Sequence, residues 1–182
     1  KRRVQLETKL GANASAVDHA EAAVAAAREA GDRKLEADVM GLWGRALTWL
    51  SRHEEAEERL LAALELAKQL GDLSLQGSCF TNLGIVADIG GDRAKARSYF
   101  EQAHATFMTT GDRDGTAGAV SNLSIVYWRE GDLDAARRFC EESLVLNRQT
   151  GDLDGQAKSL GNLGLLLNEQ GRFAEAEART RE

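Results

Sequence analysis

Proline is absent from this 182-residue sequence, and cysteine, histidine and aromatic residues are scarce. Without proline, only glycine is left to interrupt a helix. Cys79 and Cys140 stand 61 positions apart, a spacing that fits neither a disulfide framework nor a metal knuckle. They read as reduced thiols of a cytoplasmic protein, with Cys140 acting as a small hydrophobe. His19, His53 and His104 form no i, i+4 pair, so no metal site is expected. No apolar run approaches the ~18 residues of a membrane span, and no signal-peptide core follows Lys1-Arg2-Arg3. A net charge of −6 lacks the basic excess that counterion release from phosphate rewards, which argues against DNA or RNA as a partner. The P-loop, nucleophile elbow and dinucleotide fingerprint are all missing, so neither an enzyme nor a cofactor is expected. Asp112-x-Asp114-Gly115 and Asp152-x-Asp154-Gly155 open like calcium loops. An EF-hand, however, needs Gly at its sixth place and Glu at its twelfth, where Leu123 and Leu163 stand. These acids read as helix caps.

What the chain does have is self-similarity. Shifting residues 111–150 by forty places Gly71-Asp72 and Gly151-Asp152 under Gly111-Asp112, and Asn82-Leu83 and Asn162-Leu163 under Asn122-Leu123. A fixed period of that size is the signature of stacked repeats, each burying its apolar face against its neighbours. Glycine recurs at half the period, at Gly11, Gly31, Gly71, Gly91, Gly111, Gly131, Gly151 and Gly171, with Ser51 the exception. Glycine in the left-handed conformation closes a helix, and the Asp that usually follows caps the next one. Each half-period is therefore predicted to be a helix and a tight turn, and the chain a row of antiparallel helix pairs. The expected organisation is a single domain, 1–182, with a partial repeat 1–30, full repeats 31–70, 71–110 and 111–150, and a partial repeat 151–182. The sequence lacks an initiator Met and opens inside a helical pattern, so it is expected to be a piece of a longer protein.

The columns of the repeat predict the packing faces. In the first helix of each pair Met40, Phe80, Val120 and Leu160 form one column and Trp43, Leu83, Leu123 and Leu163 the next. Leu47, Ala87, Tyr127 and Leu167 complete the apolar stripe. Beside it runs Gly44, Gly84, Ser124, Gly164, almost without side chains, which allows close helix approach. In the second helix the steadiest column is Ala16, Ala56, Ala96, Ala136, Ala176; four residues later come Ala20, Leu60, Phe100, Cys140, Thr180.

A large apolar residue, Leu-Gly three positions on, a Tyr-like site, then Ala, a large residue and Ala in the second helix: this pattern resembles the tetratricopeptide repeat. The forty-residue unit is like the variant found in cell-polarity adaptors and in sensor domains of bacterial transcriptional activators. HEAT or armadillo repeats, of similar period, lack the Leu-Gly and Ala columns. The resemblance implies an all-α, right-handed α–α superhelix and a non-catalytic scaffold that binds protein or peptide, as a signalling adaptor or regulator. A small-effector sensor domain of a bacterial regulator, or self-assembly into a homo-oligomer through the end helices, are the alternatives.

In that family the first helices line a concave groove holding an extended peptide or partner helix. The column Leu42, Asn82, Asn122, Asn162 falls there, and an amide, both donor and acceptor, can pair with a peptide backbone. Helical spacing adds Arg45, Ile85 and Ile125, then Trp49 and Arg129, with Trp128 beside them. Arg2, Gln5 and Lys9 approach one end and Lys158 the other. Basic groups outnumber the acidic Asp38, Asp88 and Glu169 on this face, which favours a partner with acidic and large apolar side chains. A tail-clamping set like that of the chaperone-binding members is incomplete: Asn122 and Lys158 match, but Thr81, Ile85 and Asn162 stand where Lys, Asn and Arg are needed.

Overall fold

The structure, a computed structural model, describes the backbone of residues 1–9 and 11–180 and the side chains of 1–8 and 11–178. The side chains of Lys9 and Thr180 therefore lie outside the described residues. The helices are α1 (Arg2–Lys9), α2 (Asn13–Glu29), α3 (Arg33–Trp49), α4 (His53–Gln69), α5 (Leu73–Ile89), α6 (Arg93–Thr110), α7 (Arg113–Glu130), α8 (Leu133–Thr150), α9 (Leu153–Glu169) and α10 (Phe173–Thr180). No strand occurs among the described residues.

One dipeptide both ends and starts a helix. At the α2–α3 turn Gly31 takes φ +67°, which glycine adopts without steric penalty. The Gly31 N–H donates to Arg28 O at 3.1 Å and the Asp32 N–H to Ala27 O at 2.9 Å, so two carbonyls at the end of α2 are satisfied. The Asp32 carboxylate then accepts the Leu35 N–H at 2.9 Å, capping α3. Asp72, Asp92, Asp112, Asp132 and Asp152 cap in the same way, onto Leu75, Lys95, Gly115, Ala135 and Gly155.

The exception in sequence is an exception in geometry. Ser51 is the one non-glycine with positive φ among the described residues, at 60°, and Arg52 offers no side-chain cap. Arg52 instead makes a two-pronged pair with Glu55, Nε to Oε1 at 2.7 Å and Nη2 to Oε2 at 2.6 Å.

The chain forms two compact units, Lys1–Tyr99 and Phe100–Glu182, dividing within α6. In the first, successive helices α1 to α5 pack on each other, and α3 also touches α1 and α5. Among the described residues α2 and α4 do not meet, so the odd helices form the inner, tighter wall of this unit. Its core holds Met40, Leu47, Leu60 and Phe80, with Ala16 and Ala56 fully buried where helices meet. Trp43 is half-buried, and Arg59 stacks over its ring at 4.5 Å. In the second unit α8 packs on α7 and α9, α9 on α10, and α7 touches α9. Leu163, Leu166, Leu167 and Cys140 form its centre with Ala136 and Ala176, and Tyr127 stacks on Phe139 at 5.3 Å.

Close approach is what the small-residue columns provide. A Cβ on Gly44 would stand 2.5 Å from Leu60 Cγ, one on Gly115 2.5 Å from the Phe107 ring, and one on Gly155 2.6 Å from Asn147 Cγ. The glycines of the two Asp-x-Asp-Gly segments thus answer to packing against the preceding helix. Gly118 meets nothing within 4 Å.

These differences set two expectations for chemical denaturation. Gly44→Ala lowers stability by about 1–3 kcal/mol through overpacking, whereas Gly118→Ala raises it by about 0.5–1 kcal/mol through helix propensity. Ser51→Gly, which removes the left-handed penalty on a Cβ, raises stability by up to ~1 kcal/mol.

Candidate functional site

Each unit carries a recess on its odd-helix wall. In the N-terminal unit a recess of about 270 Å³ is lined by α3 and α5 residues, including Asp38, Leu42, Arg45, Leu75, Cys79 and Asn82, together with Lys1 and Gln5. In the C-terminal unit a larger recess of about 500 Å³ is lined by residues including Gly118, Asn122, Ile125, Asn147, Lys158 and Asn162. Helical spacing brings these together: Gly118, Asn122 and Ile125 share one face of α7, and Lys158 and Asn162 one face of α9.

Of the sequence-predicted residues, Arg45 and Asn82 meet in the first recess, and Asn122, Ile125, Lys158 and Asn162 in the second. Ile85, Trp49, Trp128 and Arg129 line neither. Ile85 is half-buried, Trp49 is exposed at the end of α3, and Trp128 directs its indole N–H to Glu169. Arg129 is exposed.

The asparagines divide. The Asn82 amide donates to Ser78 O at 2.9 Å, one turn back in its own helix, so that donor is taken up locally. Among the described residues the side chains of Asn122 and Asn162 have no hydrogen-bond partner. Both are half-buried on the wall of an open recess, beside Gly118 and Gly161, which face open space. Lys158 is exposed and forms no ion pair among the described residues.

Sequence reasoning missed the floor of this recess. Ser143, Asn147 and Ser159 are buried polar residues. The Asn147 amide donates to both hydroxyls at 3.3 Å, and the two hydroxyls lie 3.1 Å apart. One period earlier these places hold Ala103, Phe107 and Ala119. The available signal was Ser143 in an alanine column. The trio itself is joined across a turn, between α8 and α9, and no single-helix periodicity reveals that.

Electrostatics differ between the recesses. Around the first, Lys1 pairs with Asp38, and Lys34 with Asp72, each lysine reaching across to the following repeat. The hydrogen bond from Lys34, then that from the Leu75 N–H, holds the Asp72 carboxyl below its ordinary range, and the same contact raises Lys34. Burial, reinforced by Asp72 and Asp38, pushes the Cys79 thiol up to about 12. Burial takes Cys140 to about 11, and its Sγ donates to Ser159 O at 3.1 Å. Both shifts favour the protonated thiol over the thiolate. Arg45 is lowered by burial alone. Among the described residues no group of three or more metal-ligating side chains converges, and no helix is long and apolar enough to cross a membrane.

Helices of near-constant length from α2 to α9, turned mostly by Gly-Asp and recessed on the odd helices within each unit, define a stacked helical-repeat protein. The tetratricopeptide repeat profile matches residues 35–108 and 115–182, and the chain belongs to that family. Solved structures agree on the fold. BtubC (BKLC) from P. vanneervenii superposes with a TM-score of 0.85 at 22% identity, over 98% of this chain and 74% of that one. A putative kinesin light chain from Podosopora anserina with nearly identical TPR-like repeats gives 0.77 at 16% identity, over 99% and 89%. A Rap protein complexed with Competence and Sporulation Factor gives 0.76 at 18% identity, over 98% of this chain and 60% of that one. No curated protein sequence matches the chain. The fold is thus the tetratricopeptide-like solenoid of antiparallel helix pairs, and the family is one of protein-interaction scaffolds.

The paired charges fix a pH response. A depressed carboxyl contributes stability that is complete above its ordinary pKa of 3.8 and is lost as pH falls through the lower folded value. Lys34, raised, contributes below its ordinary 10.5 and loses that contribution as pH climbs through the folded value. Asp72→Asn keeps a capping side chain but removes the charge. Thermal denaturation between about pH 2 and 6 is expected to show a shallower acid loss of stability in Asp72→Asn than in wild type.

Proposed function

We propose that this chain is a non-catalytic binding module that holds an extended peptide, or a partner helix, along its odd-helix wall, as the regulatory or adaptor part of a longer protein. The two units are read as parts of one repeat domain, 1–182. The observation that carries the reading is the pair of unpartnered amides, Asn122 and Asn162, on the wall of a recess with glycine openings beside them. A mid-helix Asn lowers helix propensity by several tenths of a kcal/mol relative to Ala, roughly 0.5, and among the described residues no internal bond offsets that cost. An amide bound to a peptide backbone does, whatever the peptide's side chains. The Rap structure of like fold, complexed with Competence and Sporulation Factor, supports the same use of such a fold.

A second reading has its own support. The buried Ser143–Asn147–Ser159 floor and a recess volume of about 500 Å³ also suit a small polar effector. A capped-peptide array set against a metabolite thermal-shift panel separates the two. For a peptide selected on the array, Asn122→Ala and Asn162→Ala are each expected to weaken binding by about 2- to 13-fold, the worth of one net hydrogen bond. Unchanged affinity in the double variant excludes these amides from the binding surface.

A further inference from the structure

The N-terminal recess holds an imbalance that the fold does not explain. Two of its charges cancel, since the Lys1 ammonium donates to Asp38. The amide nitrogen of Asn82 is occupied by Ser78. Arg45 is left over. Among the described residues its guanidinium has neither a hydrogen bond nor an ion pair, and its Nε is buried without an acceptor. No carboxylate offsets its desolvation. The same column holds Ile85, Ile125 and Leu165 in the later repeats, so the packing there asks only for an aliphatic side chain. A cation partly withdrawn from water, with no counter-charge, destabilises the protein that carries it.

We propose that this recess is a carboxylate-binding subsite anchored by Arg45. The planar guanidinium offers paired N–H donors in the geometry a carboxylate accepts. Leu42 and Leu75, on the same recess wall, supply apolar surface for the stem carrying that carboxylate. The side-chain oxygen of Asn82, which accepts no bond among the described residues, is available to a neighbouring N–H of the ligand. The C-terminal recess, walled by amides and floored by hydroxyls, has no corresponding arginine. The inference rests on reading the odd-helix wall as a binding surface and adds the chemistry that the N-terminal recess selects: an Asp or Glu side chain of a bound peptide, or a small free dicarboxylate.

The test uses the whole chain and two probes. One is a pair of randomised, end-capped hexapeptide pools, alike except for a fixed central Glu or Gln; the other is succinate against chloride at equal ionic strength. The Glu pool is expected to bind about tenfold or more tightly than the Gln pool, as a charge-assisted bond requires. Arg45→Leu is expected to abolish that preference while melting no lower than wild type, and Arg45→Lys to keep part of it. Protection by succinate alone, lost in Arg45→Leu, identifies a free carboxylate as the source and keeps the subsite while removing the peptide reading. Equal binding of both pools, with succinate no better than chloride, overturns the subsite and leaves peptide binding intact. An Arg45→Leu protein that melts below wild type also overturns it, because the guanidinium would then be serving the fold.

Discussion

A left-handed residue closes the turns between helices, and at most of them the carboxylate after it opens the next helix; the rest of the packing depends on that pair. At each Gly-Asp the same few atoms terminate one helix, through N–H groups aimed at the last carbonyls, and begin the next, through a carboxylate aimed at the first free amides. The short turn forces consecutive helices antiparallel, and the regular interval keeps them nearly equal in length. Equal helices in register let one column of alanines meet the partner helix and one column of large residues fill the centre of each unit. Where glycine itself is replaced, at Ser51-Arg52, the geometry is kept and the chemistry changes: a strained backbone angle stands in for glycine, and an arginine–glutamate pair, repeated at Arg172 and Glu175, for a capping acid.

That regularity produces a surface with two unlike sides in each unit. The odd helices touch one another across repeats and the even helices of the described pairs do not, so the inner wall is the one on which side chains from successive repeats converge. Convergence makes a recess from residues a whole period apart in sequence, such as Leu42 with Asn82, or Asn122 with Asn162. The repeat supplies the recess. The departures from the repeat give each recess its character: Arg45 where later units are aliphatic, and Ser143, Asn147 and Ser159 where an earlier one is apolar.

What could be read from sequence follows the range of the interactions. The turns were legible because helix end and helix start are local, encoded in adjacent residues. The close contact at Gly44 was legible because a side-chain-free column has one plain physical use, and Leu60 stands where that use requires it. The asparagine column was legible as a face, but not as chemistry. Whether an amide turns back onto its own helix, as Asn82 does, or stays unpartnered, as Asn122 and Asn162 do, is decided by local geometry that the column does not contain. Trp128 was placed beside the groove by spacing, yet its N–H is directed to Glu169 in the following repeat. The missing partner of Arg45 was invisible for a related reason, since a lack of neighbours is a property of three-dimensional surroundings.

The central claim is that the inner wall of odd helices is the working surface. Amide hydrogen exchange on the whole chain, with and without a peptide selected from the capped-peptide array, tests it most directly. The account predicts added protection in α3, α5, α7 or α9, at and around the recess-lining residues, with α2 and α4 unchanged. Protection confined to α2 and α4 would place the partner on the opposite side and contradict it.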